Sequence, residues 1–173
     1  MVVWIIGMSG AGKTAIGTEV HRQWKATGAP VVMVDGDQVR RIVGQDQSDA
    51  DYTLVARRKN AERLFEICRW LDLEGINVVC SHLSLFADLR DRNRETFSSY
   101  FEVFVDVPID VLVERDDKGI YQAARRGETA NVVGVDIDFP RPERADLVVE
   151  NGGFNVPLSR WAGDILRAVG IVA

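Results

Sequence analysis

The stretch GMSGAGKT, residues 7–14, holds the residues whose types and spacing point most directly to chemistry. Gly7, Gly12, Lys13 and Thr14 stand at the intervals of a loop that wraps phosphate groups. Glycines let successive backbone N–H groups turn inward around an anion, where a side chain would block the approach. Lys13 can reach β- and γ-phosphates as a mobile point charge, and the Thr14 hydroxyl can ligate Mg²⁺. Ser9, Gly10 and Ala11 complete the candidate ATP-binding set of Gly7, Ser9, Gly10, Ala11, Gly12, Lys13 and Thr14. The alternative is a chance match in a glycine-rich turn. The flanks oppose it: VVWII before the loop reads as a short buried strand, and KTAIGTEVHRQW after it reads as a helix. The N-terminus of that helix would face the phosphates.

A phosphate donor needs an acceptor, and the remaining elements show where one belongs. Strand-like runs at 30–37, 76–84, 101–108 and 146–151 alternate with helix-like runs, including a long one over 53–74 and a closing one over 156–169. Continuous apolar strands between helices predict a parallel sheet covered on both faces. Ligands of such sheets bind outside the carboxyl ends of the strands. Those ends carry Asp35-Gly36-Asp37, Ser81-His82-Leu83-Ser84 and Asp106, all expected to converge near the phosphate loop. A carboxylate there can order Mg²⁺ through water or take a proton from an attacking hydroxyl. The competing reading of the aspartates is a polar turn in which Asp37 caps the next helix. Arg40 follows Asp37 by one helical turn, and Arg57 and Asn60 are spaced alike near the start of the long helix. Two such arginines beside the pocket could clamp an anion bidentately; elsewhere they would be solvated surface. Of the two histidines, His21 reads as surface and His82, ending a central strand, as structural.

Whole-chain properties bound the rest. A chain of 173 residues with 46% hydrophobic content fits one domain, 1–173. A net charge of −5 argues against a nucleic-acid partner, though local arginines can still attract an anionic ligand. The absence of long apolar runs argues against a membrane partner, and the immediate entry into a strand leaves no room for a signal peptide. The expected location is cytoplasmic. Cys68 and Cys80 lack metal-type spacing and read as core residues. Residues 116–145 carry many charges and little core patterning, so they are expected to form a mobile lid.

Taken together, these segments resemble the adenylylsulfate kinase family, whose members make 3′-phosphoadenylyl sulfate from adenylyl sulfate and ATP. VVWIIGMSGAGKT resembles the family's opening strand and phosphate loop, and VDGDQVR its D-G-D-x-x-R element. YTLVARRKNAER, FVDVPIDVLVERDDKGIYQAARRGE and NVVGVDIDFPRPERADLVV resemble its acceptor helix, its fourth strand with lid, and a later loop. The resemblance implies a P-loop kinase fold, α/β with three layers, that moves the ATP γ-phosphate to a ribose 3′-hydroxyl in sulfate assimilation. It implies Asp37 and Lys13 as catalytic, and Thr14 with Asp35 (via water) at Mg²⁺. Asp37, Arg40, Tyr52, Arg57, Asn60, Leu83, Ser84 and Val132 would line the acceptor, and Lys118 and Arg125 would belong to the lid. The implied partners are ATP and a small nucleotide acceptor, with a homodimer as the family's common assembly. Departures fall on the acceptor side and the lid. Val132 stands where the family commonly places the second aromatic of an adenine clamp, Leu85 replaces a proline, and Ala56 replaces an aspartate. Gln122, Ala87 and Ala130 replace basic residues. The acceptor expected first is adenylyl sulfate. The second is another 5′-substituted nucleotide such as a cytidine diphosphoramidate in capsule synthesis, and the third reading is a non-catalytic nucleotide-binding regulator.

Overall fold

The structure, a computed structural model, describes residues 1–116, 118–153 and 156–171. Strand β1 (Val2–Ile6) is buried along its whole length, as its unbroken apolar sequence requires. Its alternation is still visible in packing: Val3 and Ile5 enter one hydrophobic cluster, and Val2, Trp4 and Ile6 enter another on the opposite face. Around it lie β2 (Val31–Asp35), β3 (Asn77–His82), β4 (Tyr100–Asp106) and β5 (Leu147–Glu150), in the order β2-β3-β1-β4-β5 with every pairing parallel. Helix α1 (Lys13–Ala26) packs with α7 (Leu158–Ala168) over the Val3/Ile5 face. Helix α3 (Leu54–Leu73) covers the other face with Leu64, Phe65 and Cys68. The three-layer α/β expectation is met.

Short elements surround the strand ends. Helix α2 (Gly36–Ile42) follows β2, a 3₁₀ turn (Asp49–Tyr52) precedes α3, and α4 (Ala87–Thr96) follows β3. Helices α5 (Ile109–Arg115) and α6 (Ile120–Arg125) follow β4. The strand expected over 30–37 stops at Asp35, because that carboxylate turns to accept the N–H groups of Asp37 and Gln38 and starts α2. Helix α3 starts after Thr53, whose hydroxyl accepts the Ala56 N–H at 3.3 Å.

Residues 116–145 depart from the reading of a segment with little core. Tyr121, Val132 and Val133 are buried, and a single parallel bridge joins Val133 to Ile137. Tyr121 also donates its hydroxyl to Ser9 O at 2.8 Å, so α6 is tied to the phosphate loop. Hydrophobic spacing misses this segment because its three anchors are scattered among charged residues. Asp117 lies outside the described residues. Cys68 and Cys80 are free and buried, as expected.

Candidate active site

The phosphate loop leaves β1 at Gly7 and enters α1 at Lys13. Gly12 caps α1 with φ 96, a left-handed conformation that suits glycine. A Cβ there would also lie 2.7 Å from Asn151 Nδ2. That amide donates to Ala11 O at 2.9 Å, so the residue after β5 holds the loop from outside. Lys13 Nζ donates to Met8 O at 2.8 Å. Burial lowers its pKa to about 8, with Lys118 pulling the same way and Asp37 and Asp35 opposing. The ammonium still borders the cavity, where water screens part of that cost.

The loop opens onto a cavity of about 540 Å³ at the carboxyl ends of the strands. Ser9, Gly10, Gly12, Lys13 and Thr14 form its floor. Gly7 and Ala11 are buried behind that floor and supply backbone rather than surface. Thr14 Oγ1 donates to Asp35 Oδ2 at 2.7 Å, while Asp35 Oδ1 accepts the Asp37 N–H at 3.0 Å and the Gln38 N–H at 3.1 Å. The cap of α2 is therefore Asp35, not Asp37. A β-strand residue entering a helix has the extended backbone that capping needs, and Asp37 is already inside the first turn.

Asp37 stands free of that cap and faces the cavity, where Lys118 Nζ donates to Oδ2 at 2.8 Å. Burial works against its charge, but Lys118, Lys13 and Arg40 outweigh it and hold its pKa below the ordinary carboxylate value. Both members of the Lys118 pair are more than half exposed, so the contact is weak and exchangeable.

The opposite wall is built from α2, the 3₁₀ turn, α3 and the loop after α6. Arg40 is buried and donates to Asp51 O at 2.6 Å. Arg57 donates from Nε to Tyr52 O and from Nη2 to Asn131 O, each at 2.7 Å. Both guanidinium groups lie over the Tyr52 ring, 5.2 and 5.6 Å from its centroid. Desolvation lowers the pKa of both arginines, which at this starting basicity stay charged. Leu83, Ser84 and Val132 line this wall too. Val132 is set by Asp136, whose carboxylate accepts the N–H groups of Asn131 and Val132, each at 2.5 Å. Four cations, Lys13, Arg40, Arg57 and Lys118, thus face two carboxylates, Asp35 and Asp37, which makes the cavity attractive to anions despite the acidic chain.

Besides Gly7 and Ala11, three further candidates do not reach the cavity surface. Asn60 is fully buried, and its Nδ2 donates to Gly36 O at 3.4 Å, so it braces the turn between the aspartates. Its interior position on α3 turns it toward the sheet while Arg57, one turn earlier, reaches the opening. Arg125 sits exposed at the end of α6, away from the lining. Asp106 pairs with Arg141 instead of converging on the loop, because β4 ends beside the segment that carries Arg141. His21, expected at the surface, is half-buried with Nε2 3.2 Å from Val31 O. Sequence reasoning also missed Phe86, which adds an aromatic to the lining, and Asn151 and Tyr121 as supports of the loop. A polar residue just past the last strand was the available signal for Asn151. Tyr121 had none beyond its aromaticity.

A phosphate loop heading a five-stranded parallel sheet, opening on an anion-attracting cavity lined by two carboxylates, defines a P-loop kinase. Comparison with known proteins places it further. The family model for adenylylsulphate kinase matches residues 1–150. The chain is 34% identical over 150 residues to the cytidine diphosphoramidate kinase of Campylobacter jejuni, covering 87% of this chain and 85% of that one. It is 34% identical over 157 residues to an adenylyl-sulfate kinase of Synechococcus, covering 91% and 88%. Among solved structures, the Mycobacterium tuberculosis APS kinase CysC in complex with AMPPNP and APS superposes with a TM-score of 0.85 at 27% identity, covering 98% of this chain and 96% of that one. The chain belongs to the adenylylsulphate kinase family and is a kinase acting on a nucleotide hydroxyl.

Proposed function

We propose that the chain transfers the γ-phosphate of ATP to the 3′-hydroxyl of adenylyl sulfate, giving 3′-phosphoadenylyl sulfate and ADP. The observation that carries this reading is the single cavity in which the phosphate loop, Asp37 and the Arg40/Arg57/Tyr52 wall face one another. Asp37 takes the proton of the 3′-hydroxyl as its oxygen bonds to the γ-phosphorus, and the bond to the β-phosphate oxygen breaks, releasing ADP. Lys13 neutralises charge on the transferring group. Lys118 leaves Asp37 and turns to phosphate when both substrates are bound, which is the lid role assigned to 116–145.

The hydroxyl and carboxylate pair of Thr14 and Asp35, both at the cavity floor, fits an Mg²⁺ ion that arrives with ATP. Such an ion would supply charge neutralisation at the phosphates. Arg40 and Arg57 hold the anionic 5′ end of the acceptor, and Tyr52 packs against its base. Asn60 serves this site through Gly36 rather than by touching the acceptor. Buried free thiols fit a cytoplasmic enzyme, and among the described residues no helix is long and apolar enough to cross a membrane. A homodimer is proposed on family resemblance alone; analytical ultracentrifugation reads it directly.

A cytidine acceptor is the second reading. Val132 as an aliphatic wall, together with the likeness to the Campylobacter protein, favours it. The deciding experiment is kcat/KM with ATP against a panel of adenylyl sulfate, AMP, ADP, CDP and a cytidine diphosphoramidate. Adenylyl sulfate is expected to lead. A tenfold or greater preference for a cytidine compound moves the assignment to the second reading. Turnover of shikimate or gluconate with none of the panel used removes both.

A further inference from the structure

No role assigned above uses His82, yet it ends β3 in the cavity wall and is only 8% exposed. The Ser84 backbone N–H donates to its Nδ1 at 3.1 Å, and Ser84 Oγ lies 3.2 Å from the same nitrogen. A ring nitrogen that accepts a backbone N–H carries no proton, so the neutral imidazole holds its hydrogen on Nε2. Ser84 is itself fastened. Its backbone is left-handed at φ 56, Trp4 Nε1 donates to its hydroxyl at 2.7 Å, and Arg90 donates to its carbonyl at 2.7 Å. The far edge of the imidazole packs on Gly36, where a Cβ would lie 2.8 Å from Cδ2. The tautomer and the ring plane are therefore both set by the protein. Burial, reinforced by Arg40 and Lys13 and by Arg57, keeps the ring neutral, with Asp37 opposing. Among the described residues, Nε2 has no hydrogen-bond partner, and it is not sealed from solvent.

We propose that His82 Nε2–H is a neutral, directional donor to the anionic 5′ end of the acceptor nucleotide, beside Arg40 and Arg57. This rests on reading the cavity as the acceptor site. Two guanidinium groups attract any nearby anion, whereas a fixed N–H rewards only an oxygen placed in its line. His82 thereby favours nucleotides bearing a second anionic group on the 5′-phosphate over nucleoside monophosphates.

Two substitutions separate this from a purely structural role. His82→Asn keeps an acceptor where Nδ1 stands and removes the distal donor. His82→Gln does the reverse. Steady-state kinetics are measured for adenylyl sulfate and CDP, which carry the second anionic group, and for AMP and CMP, which lack it. The expected result is a rise of about tenfold in KM for adenylyl sulfate or CDP in His82→Asn, no change in KM for ATP, and a rise under about threefold in His82→Gln. KM for AMP and CMP should be unchanged in His82→Asn. The opposite order, or equal losses in both variants, overturns the proposal. Arg57→Ala is run alongside. If it raises acceptor KM while His82→Asn does not, only the His82 donor falls; if neither does, the acceptor-site reading falls too. A measurement on the wild type stands apart from any folding defect: the ¹⁵N resonance of His82 Nε2 should shift on addition of adenylyl sulfate or CDP. An unmoved resonance at saturation with both overturns the donor.

Discussion

The two sides of the cavity, proposed for the donor and for the acceptor, are built in different ways. The proposed donor side is one continuous loop between β1 and α1, whose Ser9, Gly10, Gly12, Lys13 and Thr14 line the cavity. The proposed acceptor side gathers side chains from α2, the 3₁₀ turn, α3, the end of β3 and the loop after α6. A backbone site tolerates little change, because its geometry depends on glycine conformations and on external supports such as Asn151 and Tyr121. A side-chain site can be retuned one residue at a time while the fold persists. Of the six departures from the family pattern, Val132, Leu85 and Ala130 line the cavity, Ala56, Ala87 and Gln122 do not, and none lies in the phosphate loop.

The sharpest break of this comparison is Lys13→Ala. Loss of a preorganised charge at the transferring phosphate costs about 3 kcal/mol or more of barrier, so kcat should fall at least about a hundredfold. Thermal melting should stay near wild type, since among the described residues the ammonium's one hydrogen bond is to Met8 O. Single-turnover assays beside a melting curve check both halves. Near-normal turnover in a folded variant would remove the donor side from the argument.

Arg57→Ala tests the acceptor side and should be milder. Losing a charge-assisted bond costs about 1.5–3 kcal/mol, which predicts a tenfold or larger rise in acceptor KM with KM for ATP unchanged. The same guanidinium also ties the 3₁₀ turn to Asn131, so substitution should loosen residues around 131. Hydrogen exchange in that segment would show whether binding and loop order are lost together.

Asn60→Ala should give the smallest effect on substrates. Asn60 touches Gly36 O and Arg63 rather than the cavity, so its removal should cost about 1–3 kcal/mol of stability from an unsatisfied buried group. Urea denaturation measures that loss. An acceptor KM that rose as far as in Arg57→Ala would place Asn60 on the binding surface after all, and would blur the boundary between wall and support.

What was readable in advance followed physical locality. The phosphate loop was legible because its chemistry lies in eight consecutive residues whose spacing alone carries the geometry. The layered sheet was legible because buried parallel strands are apolar on both faces. Arg40 and Arg57 could be named from their spacing and Tyr52 from the resemblance, and the structure brings all three to one wall.

The cavity wall beyond those residues depends on contacts between distant segments, which no local pattern encodes. Asn60 and Arg57 share a helix and a spacing, yet helix rotation against the sheet turns one inward and the other to the opening. Asp106 ends a strand as Asp35 does, but its neighbour in space is Arg141. His82 owes its tautomer to Ser84, which Trp4 and Arg90 fasten from elements far apart in sequence. By itself, then, the sequence determined the sheet, the phosphate loop and the class of reaction, because local backbone chemistry and strand burial are written residue by residue. Only the tertiary structure decided which polar side chains face the cavity and which hold its wall from behind, because that choice rests on how α2 and α3 pack against β3 and on hydrogen bonds between distant segments.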